Sequence, residues 1–208
     1  AIPFSLLVGF AAGVDIRTVG SGNIGATNLK RALIDKPHGR LIALAGYVLD
    51  ISKGWVAVVG LAMLAASVAG DPGAESLVLL KTIAGAAAMI GHIFPVWLKF
   101  KGGKGVATFF GIMIGLTPVA LPVCLIAYLV VTRLTRYVSV GSMTAAFLFP
   151  VSQITYMSLL PSHPGALDVR EGLPLTVFSV FIAVIVIARH SANIRRLIKG
   201  EENKIRID

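Results

Sequence analysis

Apolar residues along this chain come in long blocks at positions 1–14, 41–69, 77–98, 106–117, 119–132, 138–160 and 173–188. Most blocks are separated by short polar segments rich in turn-forming residues, which is the pattern of helices crossing a bilayer. One region is ambiguous. Residues 106–132 read either as a single long helix kinked at Pro118 and Pro122 or as two short segments forming a hairpin.

Charge placement separates these two readings. With a hairpin and an outward N-terminus, the cytoplasmic face collects all 19 Lys and Arg except Lys81 and Arg170. A single kinked helix would instead move Arg133, Arg136 and the basic tail to the outer side, against the positive-inside rule. The hairpin is the expectation. Segments of twelve to fourteen residues reach only ~18–21 Å, against a hydrocarbon core of ~30 Å. They are expected as short helices set against protein, where irregular backbone at membrane depth is tolerated. The pattern predicts an all-α integral membrane protein with seven transmembrane segments. The N-terminus is outside, the C-terminus is cytoplasmic, and residues 1–208 form a single domain. Only about fourteen apolar residues precede Asp15, short of the ~20 a span needs. The beginning of the first helix is therefore expected to be missing, and no cleavable signal peptide is evident.

Composition supports the membrane reading: the chain is 56% hydrophobic and 14% charged, with a mean hydropathy of +0.84. A soluble surface needs more charge than this. The net charge of +9 reads as an orientation signal, so nucleic acid is not expected as a partner. The single cysteine, Cys124, lies in an apolar block and reads as a packed or lipid-facing thiol. No linker, low-complexity tail or internal repeat is visible.

The predicted topology places three polar segments on one face. The first holds Gly20, Ser21, Gly22, Asn23, Gly25, Thr27 and Asn28, then Lys30 and Arg31. Its glycines free the backbone, its short polar side chains offer hydrogen bonds, and Arg31 can grip a phosphate bidentately. The second is Lys101-Gly102-Gly103-Lys104-Gly105-Val106-Ala107-Thr108, leading into a helix. Glycine amides can converge on an anion there. The helix start adds its positive end, Lys104 a point charge and Thr108 a hydroxyl. It lacks the four-residue spacer of a P-loop, so ATP hydrolysis is not implied. A flexible glycine turn with a snorkelling lysine would look similar. The third holds His190 and Asn193, which share a face if helical, followed by Arg196, Gly200, Glu202 and Lys204. Two anion cradles on one face point to a doubly phosphorylated site. Asp50 is expected to partner Lys53 or a motif, and His92 reads as a packing histidine rather than a relay.

In this order the segments resemble the bacterial acyl-phosphate:glycerol-3-phosphate acyltransferases, the PlsY family. The likeness rests on Asp15-Ile16-Arg17 and the Gly20–Asn28 run, on Gly91-His92-Ile93-Phe94-Pro95 with Phe100–Thr108, and on His190, Asn193-Ile194, Arg196-Leu197 and Gly200-x-Glu202-Asn203-Lys204. Asp50-x-x-Lys53-Gly54 and Arg136-Tyr137-Val138-Ser139 look like smaller signatures of the same family. Ser191 stands where the family usually has a basic residue.

The resemblance implies transfer of a fatty acyl group from acyl phosphate to the 1-hydroxyl of glycerol 3-phosphate, giving lysophosphatidic acid and inorganic phosphate. It also implies a cytoplasmic-side site in the bacterial inner membrane, no metal or organic cofactor, and the lipid bilayer as surroundings; a monomer is expected. Ser21, Lys104, His190 and Asn193 are the candidate catalytic residues. Gly22, Asn23, Gly25, Thr27, Asn28, Arg31, Gly102, Gly103, Gly105, Thr108, Ser139, Ser142, Arg196, Glu202 and Lys204 are the candidate binding residues. The proton acceptor is either His190 or a substrate phosphate. A transporter of phosphate or an organic anion is the competing class, although the polar groups gather at one face and no inverted repeat is seen. His163 and Asp168 match the His-x4-Asp spacing of another acyltransferase class, and this reads as coincidence in an outer loop.

Overall fold

The computed structural model describes residues 1–70, 73–159 and 169–205, so His163 and Asp168 lie outside the described residues. Among the described residues the regular structure is entirely helical. The order is α1 (Phe4–Ala11), α2 (Ala26–Leu33), α3 (Gly39–Ala69), α4 (Ala74–Ile93), a 3₁₀ turn (Val96–Leu98), α5 (Val106–Leu116), α6 (Ala120–Thr135), α7 (Val138–Leu159), α8 (Val169–Arg189) and α9 (Ser191–Ile198). Each apolar block overlaps one of these α-helices, with ends that differ by a few residues. The short α2 and α9 fall in the polar segments between or after the blocks.

The ambiguous region is two helices. Helix α5 ends at Leu116 and α6 begins at Ala120. Pro118 offers no amide and disfavours helical geometry at Thr117, so the helix stops there. Pro122 sits in the first turn of α6, where backbone amides have no intrahelical acceptor, and is tolerated.

Among the described residues, four helices (α3, α4 with its 3₁₀ extension, α7 and α8) are long and apolar enough to cross a membrane, while α5 and α6 are apolar but shorter. Large apolar side chains lie open along the long helices. Met63, Leu64 and Val68 on α3 are 68%, 59% and 80% exposed. In water such a surface would drive aggregation, whereas lipid tails satisfy it.

The chain divides into two compact units, one of Ala1–Pro72 with Ile83–Gly115, the other of Gly73–Thr82 with Leu116–Asp208. In the first, Leu6, Ile16, Ile24, Leu29, Leu33 and Ala43 form a core. Helix α2 buries Ala26, Leu29 and Leu33, at the spacing of a single helical face, and the two leucines belong to that core. In the second, Cys124, Ala145, Phe149, Phe178, Ile182 and Val186 are buried, and Phe149 meets Phe178 edge-on at 6.4 Å.

Helices α3 and α5 approach closely through glycine. A Cβ on Gly54 would collide with the Thr108 carbonyl, and one on Gly111 with the Ile51 carbonyl. Small residues permit such backbone contact in membranes, where packing rather than apolar burial holds helices together. Gly54→Leu should therefore cost on the order of 3 kcal/mol through overpacking, read as a lowered thermal midpoint in detergent. Gly60 of the same helix, whose nearest neighbour beyond its Cβ is Val56 at 3.8 Å, should accept alanine with little change.

Candidate active site

In the first unit the loop before α2 is built around Asn28. This side chain is buried. Its Nδ2 donates to the carbonyls of Ile16 at 2.6 Å and Val19 at 3.0 Å, and its Oδ1 accepts from the Ser21 amide at 2.9 Å. Three loop positions are thus tied to one helical residue. Gly20 and Gly22 adopt φ of 58° and 66°, a conformation that favours glycine. A Cβ on Gly20 would also strike the Asn28 oxygen. Gly25 precedes α2 in extended geometry, and its carbonyl accepts the first helical bonds.

The remaining first-segment candidates sit close by in sequence and structure. Thr27 Oγ1 pairs with Tyr47 Oη on α3 at 2.7 Å. The side chains of Ser21, Asn23 and Arg31 are half-buried. Asp15 and Arg17 form an exposed pair at 2.7 Å, and bonding to Arg17 lowers the Asp15 pKa.

The Gly-Lys turn lies in the same unit. Its backbone folds back on the end of α4: the Gly102 amide donates to the Ile93 carbonyl at 3.0 Å and the Gly103 amide to the His92 carbonyl at 3.3 Å. The expectation of these two amides directed at an anion is therefore corrected. They close the last turn of α4, whose carbonyls lack intrahelical partners. Side chains at either glycine would collide with His92. Gly105, at φ 82°, sits just before α5, and its carbonyl accepts from the Phe109 amide at 2.7 Å. The first-turn amides of α5, Val106 to Thr108, remain as donors at a positive helix end. Lys104 stands half-buried immediately before them. Thr108 Oγ1 is buried with no hydrogen-bond partner among the described residues.

The charged network behind this turn was only partly expected. Lys53 pairs with Asp50 at 2.5 Å, as the spacing predicts. Lys53 Nζ also meets His92 Nδ1 at 2.8 Å. His92 is thus packed but not merely packed. The signal in the sequence was Asp50-x-x-Lys53, which puts both groups on one helical face; nothing local linked it to His92.

In the second unit the tail segment is centred on Glu202, which is 8% exposed. Its carboxylate accepts from Asn193 Nδ2 at 2.5 Å, Arg196 Nε at 2.7 Å and Ser139 Oγ at 2.9 Å. Burial disfavours the Glu202 anion, but these three donors outweigh it and hold its pKa below the ordinary 4.5. A Schellman turn brings Glu202 there: Gly200 takes φ 72°, its amide bonds the Leu197 carbonyl, and the Glu201 amide bonds the Arg196 carbonyl. Beyond it, Lys204 Nζ lies 5.6 Å from the Tyr137 ring, and the Ile205 amide bonds the Arg136 carbonyl at 2.8 Å.

His190 is buried at the junction of α8 and α9. Its Nδ1 lies 2.7 Å from the Val186 carbonyl. A carbonyl only accepts, so Nδ1 carries the proton and the neutral ring has its lone pair on Nε2. Ser142 is buried one turn after Ser139 and donates to the Val138 carbonyl at 2.7 Å.

The comparisons with known proteins agree with each other. Residues 1–200 match the family model described as glycerol-3-phosphate acyltransferase. A glycerol-3-phosphate acyltransferase of Anaeromyxobacter sp. (strain K) is 42% identical over 206 residues, covering 99% of this chain and 91% of that relative. Two crystal structures of PlsY (YgiH), an integral membrane glycerol 3-phosphate acyltransferase, are similar in fold. Its glycerol 3-phosphate form gives a TM-score of 0.75 at 31% identity, covering 99% of this chain and 89% of that one. Its lysophosphatidic acid form gives 0.73 at 30% identity with the same coverage.

Proposed function

Since the chain belongs to the glycerol-3-phosphate acyltransferase family of integral membrane enzymes, we propose that its donor is an acyl phosphate and its product lysophosphatidic acid. The observation that carries this reading is the family match over residues 1–200, joined to a cationic turn at the start of α5. In the proposed reaction the 1-hydroxyl oxygen of glycerol 3-phosphate attacks the acyl carbon. The acyl C–O bond to phosphate breaks, and inorganic phosphate leaves. Acyl phosphate is already activated, so the protein must chiefly align the hydroxyl and neutralise charge.

Lys104 and the first-turn amides of α5 hold a phosphate, with the Thr108 hydroxyl beside them. Gly102, Gly103 and Gly105 shape that turn. Ser21, Asn23, Thr27 and Arg31 bind the polar parts of the substrates from a loop that Asn28, Gly22 and Gly25 hold in shape. His190 and Asn193 position glycerol 3-phosphate, with Ser142 as a minor contact. Ser139, Arg196, Glu202 and Lys204 fix the tail. Residues 1–208 act as one acyltransferase. The seven apolar helices make seven membrane segments, N-terminus out, with the reaction on the cytoplasmic side of the inner membrane; the enzyme works as a monomer.

The proton of the attacking hydroxyl passes to a substrate phosphate oxygen. His190→Ala should then keep kcat within about tenfold while raising KM for glycerol 3-phosphate. A general base is worth about 10²–10⁴-fold, so a kcat loss at the top of that range with unchanged KM would assign the proton to His190. Enzyme and carrier are separated by placing purified protein in lipid vesicles. Glycerol 3-phosphate should be consumed when acyl phosphate is supplied, whereas its uptake without turnover would support a transporter.

A further inference from the structure

Lys53 lies near the middle of α3, and its ammonium is fully engaged. It donates to Asp50 Oδ1 at 2.5 Å and to the Ile2 carbonyl at 3.1 Å, and it meets His92 Nδ1 at 2.8 Å. The Phe4 ring centroid is 6.0 Å away. The second oxygen of Asp50 accepts from Ser5 Oγ on α1. Asp50 is 1% exposed and His92 6%.

An ammonium has three donors and no acceptor. Against Lys53, therefore, His92 Nδ1 must accept, and the ring proton sits on Nε2. That edge of the ring faces Gly103. A Cβ there would meet Nε2, Cε1 and Cδ2 together, and the His92 carbonyl already takes the Gly103 amide. Helices α1, α3 and α4 are thus wired, through Ser5, Asp50, Lys53 and His92, to the residue before Lys104.

We infer that Asp50, Lys53 and His92 are positioning residues: through them the body of the first unit fixes the place and orientation of the Gly-Lys turn, and hence of Lys104. Carrying a charge pair into a membrane helix is costly unless every polar atom is satisfied, and a packing role alone would be met by apolar side chains. Lysine is required because a compact ammonium reaches three acceptors in different directions, which the planar fork of arginine does not. The inference rests on the proposed function only for its kinetic arm.

The test compares His92→Asn with His92→Leu in purified protein in lipid nanodiscs. An asparagine amide can set its oxygen where Nδ1 accepted from Lys53; leucine cannot. Two readouts are taken. Amide hydrogen exchange over residues 99–105 should speed up at least tenfold in His92→Leu and no more than about threefold in His92→Asn, with α2 unchanged in both. This holds whether or not the protein has the proposed donor. Kinetically, His92→Leu should lose at least thirtyfold in kcat with KM for glycerol 3-phosphate altered less than threefold, and His92→Asn should recover most of it. Asp50→Asn and Lys53→Arg should behave like His92→Leu and stand in for it if that variant fails to fold. Equal exchange over 99–105 in wild type and the disrupting variants overturns the inference. So does equal damage from asparagine and leucine. A wild type inactive with acyl phosphate, but showing the predicted exchange pattern, would leave the positioning network standing and defeat the donor reading instead.

Discussion

Lys104→Met should lower kcat/KM by about 10²–10³-fold, the usual cost of deleting one preorganised electrostatic donor. Lys104 is flanked by Gly103 and Gly105 and stands just before the first turn of α5. A cation and a helix start thereby act on the same small volume. Methionine keeps the length and apolar stem of the side chain and removes only the charge, so the folded protein should be retained. Arginine at 104 should rescue partially at best, because a planar fork does not replace a point charge in a glycine-lined turn. The assay is steady-state acyl transfer with matched size-exclusion profiles. A Lys104→Met enzyme within threefold of wild type would remove the turn from the reaction.

Glu202→Ala should be the most damaging change in the tail. It strips the acceptor from Ser139, Asn193 and Arg196 at once. Removing one partner of a buried pair costs about 3–5 kcal/mol. Arg196 remains 31% exposed and can turn to water, so about 2–3 kcal/mol is expected by the same principle. Thermal unfolding in detergent measures it. The sign with pH follows from the lowered pKa. The contribution is complete above the unfolded value near 4.5 and is lost as pH falls through the lower folded value. Wild type should thus lose tail stability on acidification below about pH 4.5, while Glu202→Ala should show a flatter profile there.

Much of the fold was legible because long apolar blocks have few alternatives in a membrane. Charge placement, which favoured a hairpin over a single helix kinked at Pro118 and Pro122, indicated the break between α5 and α6. Helices α2 and α9 were not apparent from the blocks, since each is eight residues long and has an amphipathic pattern. The site was legible as residue types but not as bonds. Asn28 and the amides of Gly102 and Gly103 looked like ligand donors, and the structure uses them to hold backbone in place. A side chain's sequence neighbours do not reveal that carbonyls nine and twelve residues away will claim it, as they do Asn28. The His92 link to Lys53 spans 39 residues, and no local pattern could have indicated it. The Glu202 turn was readable in part, through Gly200 following a basic helix end.

The donor decides the account. Purified protein in lipid, given glycerol 3-phosphate and either palmitoyl phosphate or palmitoyl-CoA, should release inorganic phosphate and lysophosphatidic acid in equal amounts with the first and form no product with the second. Product from the thioester alone, or phosphate release without lysophosphatidic acid, would contradict it.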